Sequence, residues 1–212
     1  EMTSSLVGSE MCIRDSVSLL KRADMTRYEL FLRETRTYEI IEDVKNFRSE
    51  IGVLFLNGYN RDVLTKMFDD NRLTYTSLFK ARPHIFVSKS NPLAKHKVVS
   101  LEDLEDFPYL SYDQGIHNSF YYSEEILSQI PHKKSIVVSD RATLFNLLIG
   151  LDGYTIATGI LNSNLNGDNI VSIPLDVDDE IDIVYLKHQK ATLSKMGEKF
   201  LDNLVKEVTF DN

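Results

Sequence analysis

The 212-residue chain is poor in cysteine, with Cys12 its single thiol. That excludes an intrachain disulfide, a zinc cage built on cysteine and a C-x-x-C redox pair. It also lacks any apolar run approaching the ~20 residues that a membrane-spanning helix needs. Its start lacks the basic region, apolar stretch and small-residue cleavage site of a secretory signal, so a cytoplasmic location is expected, with no membrane partner. Positive charge is in deficit, with 24 Lys and Arg against 32 Asp and Glu for a net charge of −8. Such a field repels phosphate backbones, and no helix rich in Arg, Lys, Asn or Gln offers to read bases, so these residues should bind duplex DNA poorly. Internal repeats and low-complexity tracts are missing as well. The remainder is ordinary for a folded protein: 42% hydrophobic, 26% charged and 10% aromatic residues. The length suits one domain or two small lobes, since single cores rarely grow beyond ~250 residues.

Signals for catalysis are also missing. No G-x-S-x-G, G-x-x-x-x-G-K-[ST] or G-x-G-x-x-G occurs, which removes the sequence signs of a serine hydrolase, a P-loop or a dinucleotide site. His84, His96, His117, His132 and His188 show neither H-E-x-x-H nor H-x-E spacing, and they read as solvated or structural; no metal or other cofactor is expected. The acidic pairs Asp69-Asp70, Glu124-Glu125 and Asp178-Asp179 face different ways on any regular backbone and read as solvated surface rather than shared-proton dyads.

Residues 1–16 (EMTSSLVGSEMCIRDS) match neither a helical nor a strand period and differ in texture from the chain beyond Val17. They are read as a non-native or disordered leader resembling translated adaptor sequence, and Cys12 within them is given no chemistry.

Past that leader the pattern alternates. Residues 28–33 form a β-type run, and Tyr38, Ile40, Ile41, Val44 and Phe47 come next at helical spacing. The continuous apolar run IGVLFL at 51–56 reads as a strand covered on both faces, and Val63, Leu64, Met67 and Phe68 mark a second helix. Residues 74–79 and 84–88, around Pro83, read as two strands or as one long one. Further on, 101–104 reads as a short helix, 109–112 as a strand, 119–130 as a helix and 135–138 as a strand. Asp140 is placed to cap an apolar helix over 142–151, Asp152-Gly153 to turn the chain, and 154–157 to return as a strand. A polar loop at 162–169, strands at 170–175 and 181–187, and a closing helix striped by Leu193, Met196, Phe200, Leu204, Val205 and Val208 complete the chain.

This rhythm implies an α/β protein with mostly parallel sheets flanked by helices, arranged as two lobes with a cleft between them. Ligands of open α/β sheets sit beyond the carboxyl ends of the strands, where helix N-termini offer free N–H groups. Segments 35–37, 57–59, 111–118 and 139–143 lie at such ends. The candidate ligand-binding residues there are Thr35, Arg36, Asn57, Ser111, Gln114, Asn118, Asp140, Arg141 and Thr143, mostly neutral donors plus two guanidinium groups that hint at an anion.

The order Asn91-Pro92-Leu93-Ala94, Val99-Ser100-Leu101-Glu102-Asp103-Leu104 and Phe107-Pro108-Tyr109-Leu110 resembles the second lobe of the effector domain of LysR-type transcriptional regulators. VSDRATLFNLLIGLDGYTIA at 138–157 is similar to that family's strand, apolar helix, glycine turn and strand. Ile173-Pro174-Leu175 and residues 194–204 resemble its return strand and last helix. Three departures stand out: Asn91 replaces the usual histidine, Asp152 looks inserted between two glycines, and Gly159 stands where a proline is common.

The resemblance implies a two-lobed fold of the type II periplasmic-binding-protein kind. Residues 17–81 and 175–212 would form lobe I, and 82–174 lobe II. It implies a small-molecule effector held between the lobes, a homo-oligomer formed through them, and DNA contact only through an N-terminal helix-turn-helix that these residues lack. It also implies that lobe I lacks its first strand, leaving the flanking strands at 28–33 and 51–56 without a ladder partner. Two alternatives stay open: a stand-alone solute-binding protein of the same fold, and an enzyme on a related two-lobed scaffold.

Overall fold

Six consecutive apolar residues, Ile51–Leu56, form a strand buried at every position. An all-apolar run can be placed that way only where both faces of a sheet are covered. The strand belongs to a computed structural model that describes residues 30–117, 119–160 and 169–204 in full, and the backbone of 2–4 and 205–210. In chain order the strands are β1 (Met2–Ser4), β2 (Leu32–Glu34), β3 (Ile51–Leu56), β4 (Leu73–Ala81), β5 (His84–Ser88), β6 (Tyr109–Tyr112), β7 (Ser135–Val138), β8 (Tyr154–Ala157), β9 (Ile170–Pro174) and β10 (Ile181–His188). The α-helices are α1 (Thr37–Lys45), α2 (Arg61–Asp70), α3 (Arg141–Leu151) and α4 (Lys195–Phe210), with single 3-10 turns at Pro92–Lys95, Glu102–Leu104 and Phe120–Tyr122.

The chain divides into two compact units, Glu1–Lys80 with Asp182–Asn212, and Ala81–Ile181. Each carries a mixed five-stranded sheet. The first runs β2-β1-β3-β10-β4, with β1 parallel to β2 and β3, and β10 antiparallel to β3. The second runs β7-β6-β8-β5-β9, with β6 parallel to β7 and β8, and β5 antiparallel to β8 and β9.

In the first unit, Ile40, Ile41 and Val44 of α1, Leu64 and Phe68 of α2, and Phe200, Leu201 and Leu204 of α4 are buried with β3. Gly52 allows α1 to approach the sheet closely: a Cβ there would stand 2.5 Å from Ile40 Cγ2 and 2.9 Å from Val44 Cγ2. Asp43, on the buried side of α1, is bridged by Arg33 at 2.6 Å and Arg48 at 2.9 Å.

Several expectations need correcting. The gap between β2 and β3 is occupied by Met2–Ser4, in register Met2 with Leu32 and with Ile51. A ladder demands extended backbone rather than particular side chains, so texture alone did not reveal this strand. Phe47 does not continue the stripe of α1. It lies beyond the helix at φ 56°, largely exposed, with its ring 4.3 Å from that of His188. The runs around Pro83 are two strands in different sheets, and Pro83, which has no N–H to donate, accepts from the Leu175 amide at 3.0 Å.

The helix expected over 119–130 is instead one 3-10 turn, Phe120–Tyr122, continued by non-helical turns with Leu127 at φ 61°. The polar loop expected at 162–169 falls, but for Asn169, outside the described residues.

Candidate functional site

In the first unit the predicted residues sit at a helix start and a strand end. Thr35 is buried and its hydroxyl donates to Glu39, while Arg36, the residue before α1, pairs with Glu39 at 3.4 Å. Asn57 comes directly after β3. Its side-chain oxygen accepts from the amides of Tyr59 and Asn60, both at 3.1 Å, and its own amide donates to Asn60 Oδ1 at 2.9 Å. Asn57 therefore builds the turn into α2, as Asx residues commonly do.

In the second unit two sets form. Asp140 is the N-cap of α3, accepting from the Thr143 amide at 2.9 Å and from its hydroxyl at 2.8 Å. These bonds favour the ionised carboxylate and hold it below its usual range, the amide having the larger effect. Arg141 opens the same helix. Ser111 and Gln114 belong to the second set, at the end of β6. Both line a cavity of about 350 Å³, whose lining does not include Asp140, Arg141 or Thr143. Asn118 lies outside the described residues.

The cavity brings in groups that sequence reasoning missed or misjudged. Ser111 and Tyr109 on β6 face the same side as their cross-strand partners Val137 and Ser135 on β7. Opposite lies the segment expected to be helical. Glu124 and Glu125, taken for solvated surface, are buried at 0% and 3% exposure. Glu125 Oε1 accepts the Tyr112 amide at 2.5 Å, and its other oxygen the Ser123 hydroxyl at 3.1 Å. Burial, reinforced by the charge of Glu124, outweighs these bonds and pushes the Glu125 carboxyl up to about 8. These bonds tie the segment, which the sequence pattern suggests as a helix, to the end of β6. Asp69 and Asp70 are exposed, as expected of surface acids.

The Tyr109 ring stacks on His132 at 3.7 Å, and His132 Nδ1 hydrogen-bonds the Tyr154 hydroxyl at 2.9 Å. Burial lowers the pKa of His132 and raises that of Tyr154 to about 12. Among the described residues no group of three or more His, Cys, Asp or Glu could hold a metal ion. Among them, too, no helix is long and apolar enough to cross a membrane.

A family profile, the LysR substrate binding domain, matches residues 22–209. The chain belongs to that family. It is an effector-sensing regulatory domain of the LysR type, and domains of this kind bind small-molecule effectors, typically oligomerise and are generally non-enzymatic. Solved structures agree on the fold. The effector-binding domain of QuiR in complex with shikimate is 16% identical, with a TM-score of 0.64 over 99% of this chain and 96% of that one. The reduced OxyR regulatory domain from Pseudomonas aeruginosa is 11% identical, with a TM-score of 0.67 over 97% and 96%. HinK, a LysR-family regulator from the same organism, is 15% identical, with a TM-score of 0.64 over 98% of this chain and 70% of its own. No curated protein matches the chain.

Against the LysR pattern the three departures acquire physical reasons. Asn91 and Asp152 meet: Asn91 caps the turn Pro92–Lys95 by accepting the Leu93 amide at 2.9 Å, and its Nδ2 donates to the Asp152 carbonyl at 2.7 Å. Asp152 sits in the left-handed region at φ 51°, ending α3. Gly159, at φ +83°, leaves room for the His84 ring, whose Nδ1 would lie 2.5 Å from a Cβ at that position.

Proposed function

We propose that this LysR domain captures a small effector between two lobes that close or reorient on it. The change would pass to a DNA-binding domain outside these residues, in a cytoplasmic homo-oligomer that makes and breaks no covalent bonds. The observation that carries the reading is the family match over 22–209, joined to polar groups at strand ends and helix starts in each unit. Ligand energy becomes regulation only through differential affinity for two arrangements, and paired lobes supply such arrangements. Of the nine predicted ligand residues, Thr143 and Arg141 at the start of α3 are the clearest candidates to face an effector. A guanidinium such as that of Arg141 suits a carboxylate, which it can meet with two parallel hydrogen bonds.

The test is calorimetric titration with small cyclic carboxylates, shikimate among them, on the protein and on Arg141→Ala and Thr143→Ala. At least one acid should bind and each variant should weaken it, by about 0.5–1.5 kcal/mol for the lost threonine bond. Unchanged affinity in both variants would move the effector elsewhere, and turnover of a titrated compound would return the enzyme reading.

A further inference from the structure

The cavity under residues 119–128 of the second unit is chemically lopsided. Asp113 and Glu125 line it with two carboxyl groups, and among the described residues no Lys, Arg or His belongs to its lining. Gln114 is nine-tenths buried, its Nε2 donates to the Tyr112 carbonyl at 3.4 Å, and its Oε1 is buried without a protein partner. The Tyr109 hydroxyl is likewise buried and unpartnered. Orphaned polar atoms of this kind are rare in folded proteins, and an orphaned amide oxygen signals a missing donor. At about 350 Å³ the space falls within the usual range for small-molecule sites.

We propose that this cavity binds a small organic amine, its ammonium group received by Gln114 Oε1 and the Glu125 carboxylate, with the serine hydroxyls of the lining taking up further polar groups. An anion is disfavoured by the Asp113 carboxyl and the unpartnered Gln114 oxygen, and finds no cation among the described lining residues to meet it. The site lies wholly within the second unit and stands on the cavity, independently of where a regulatory effector binds.

Proton linkage supports the assignment. The groups facing Glu125 are Glu124 from its own segment, Tyr109 and the Tyr112 amide from β6, Asp113 from the end of β6, and the Ser123 hydroxyl. None of these is a cation, and the carboxyl is pushed up to about 8, so near neutrality it holds its proton. An ammonium group arriving beside it would favour the carboxylate, so binding releases a proton and tightens as pH rises toward 8.

The experiment is calorimetric titration of the whole protein at pH 6.5 and 8.0 with linear and cyclic primary amines of about four to ten heavy atoms, within the size such a cavity accepts. Each amine is matched with the carboxylic acid of the same carbon skeleton. The expected result is that one or more amines bind, at least tenfold tighter than the matched acid and severalfold tighter at pH 8.0. Proton release should appear as a dependence of the heat on buffer ionisation enthalpy. Glu125→Gln should abolish the pH dependence and Gln114→Ala should weaken the amine tenfold. Ser111→Leu, which puts a larger apolar side chain in the lining, should block binding if the first two fold poorly. Thr143→Ala should leave amine binding unchanged even where it weakens an effector at α3. No amine outbinding its matched acid at either pH, or binding that survives Ser111→Leu in a folded protein, overturns the proposal.

Discussion

The two units bury carboxyl groups by opposite means. In the first, Asp43 is met by Arg33 at 2.6 Å and Arg48 at 2.9 Å, and Asp182 by Arg61 at 3.1 Å and the Ser77 hydroxyl at 2.5 Å. In the second, Glu125 is held by a backbone amide and a serine hydroxyl. A guanidinium beside a buried carboxylate compensates the charge itself, whereas neutral donors compensate only part of the lost hydration. The first unit thus sets its buried acids against guanidinium groups. The second holds a carboxyl that burial pushes up to about 8, beside a cavity lined also by Gln114 and Tyr109.

The sharpest way to break this comparison is to strand the buried charge of the first unit. Arg33→Ala combined with Arg48→Ala leaves Asp43, 1% exposed, without either partner. The expected loss is about 3 kcal/mol in urea unfolding, the low end for an uncompensated buried charge because both arginines are half-exposed. A loss under about 1 kcal/mol, the size of an ordinary surface pair, would mean that the pairs are ornamental and the contrast false.

The second unit should show its difference in pH dependence. The raised Glu125 value means that the folded state keeps a proton which the unfolded chain, with its carboxyl at 4.5, has already lost. Stability from this group is therefore greatest in acid and declines as pH climbs from 4.5 through about 8. His132, lowered by burial, acts in the opposite sense but only as pH falls through its unfolded value of 6.5. Between about pH 6.5 and 8.5 the glutamate contribution should remove on the order of 2 kcal/mol. Glu125→Gln should flatten that slope, while the double arginine variant should keep it. A slope that persists in Glu125→Gln would assign the titration to another group.

A third test probes the scaffold. Gly52→Ala sets a methyl against Ile40 and Val44, whose branched side chains have little rotamer freedom in α1. It should cost about 1–2 kcal/mol despite the entropy an alanine removes from the unfolded chain.

Legibility in the sequence divides along the same line. The run IGVLFL, the strand at 109–112, the strand at 154–157 and the cap at Asp140 were readable because each depends on local periodicity or on a partner three residues away. The turns at 119–130 were not. Glu125 there accepts from an amide 13 residues back, and an acid with so distant a partner looks the same in sequence as a solvated one. Likewise β1 was missed because ladder pairing leaves no side-chain signature in three residues. Ser111 and Gln114 were identified by position at a strand end, yet the cavity they line depends on the misread segment.

The smallest effect expected tests whether a departure from the LysR pattern is compensated. Asn91 is 1% exposed, and its side chain joins two turns: the oxygen accepts the Leu93 amide and the nitrogen donates to the Asp152 carbonyl. Asn91→Ala removes both, and the loss should be about 1 kcal/mol, the usual value of a cap, with the amide hydrogen bond to Asp152 adding to it where water cannot replace it. The residue usual in the family, a histidine, also offers one acceptor and one donor when neutral, but at ring spacing rather than amide spacing. Asp152, set at φ 51° to end α3, presents the carbonyl that the asparagine reaches. Asn91→His should therefore recover the Leu93 bond and not the Asp152 bond, giving a thermal midpoint between those of the parent and Asn91→Ala. If histidine matches asparagine fully, the Asn91 and Asp152 departures are independent; if it is worse than alanine, the turn has been rebuilt around the shorter side chain.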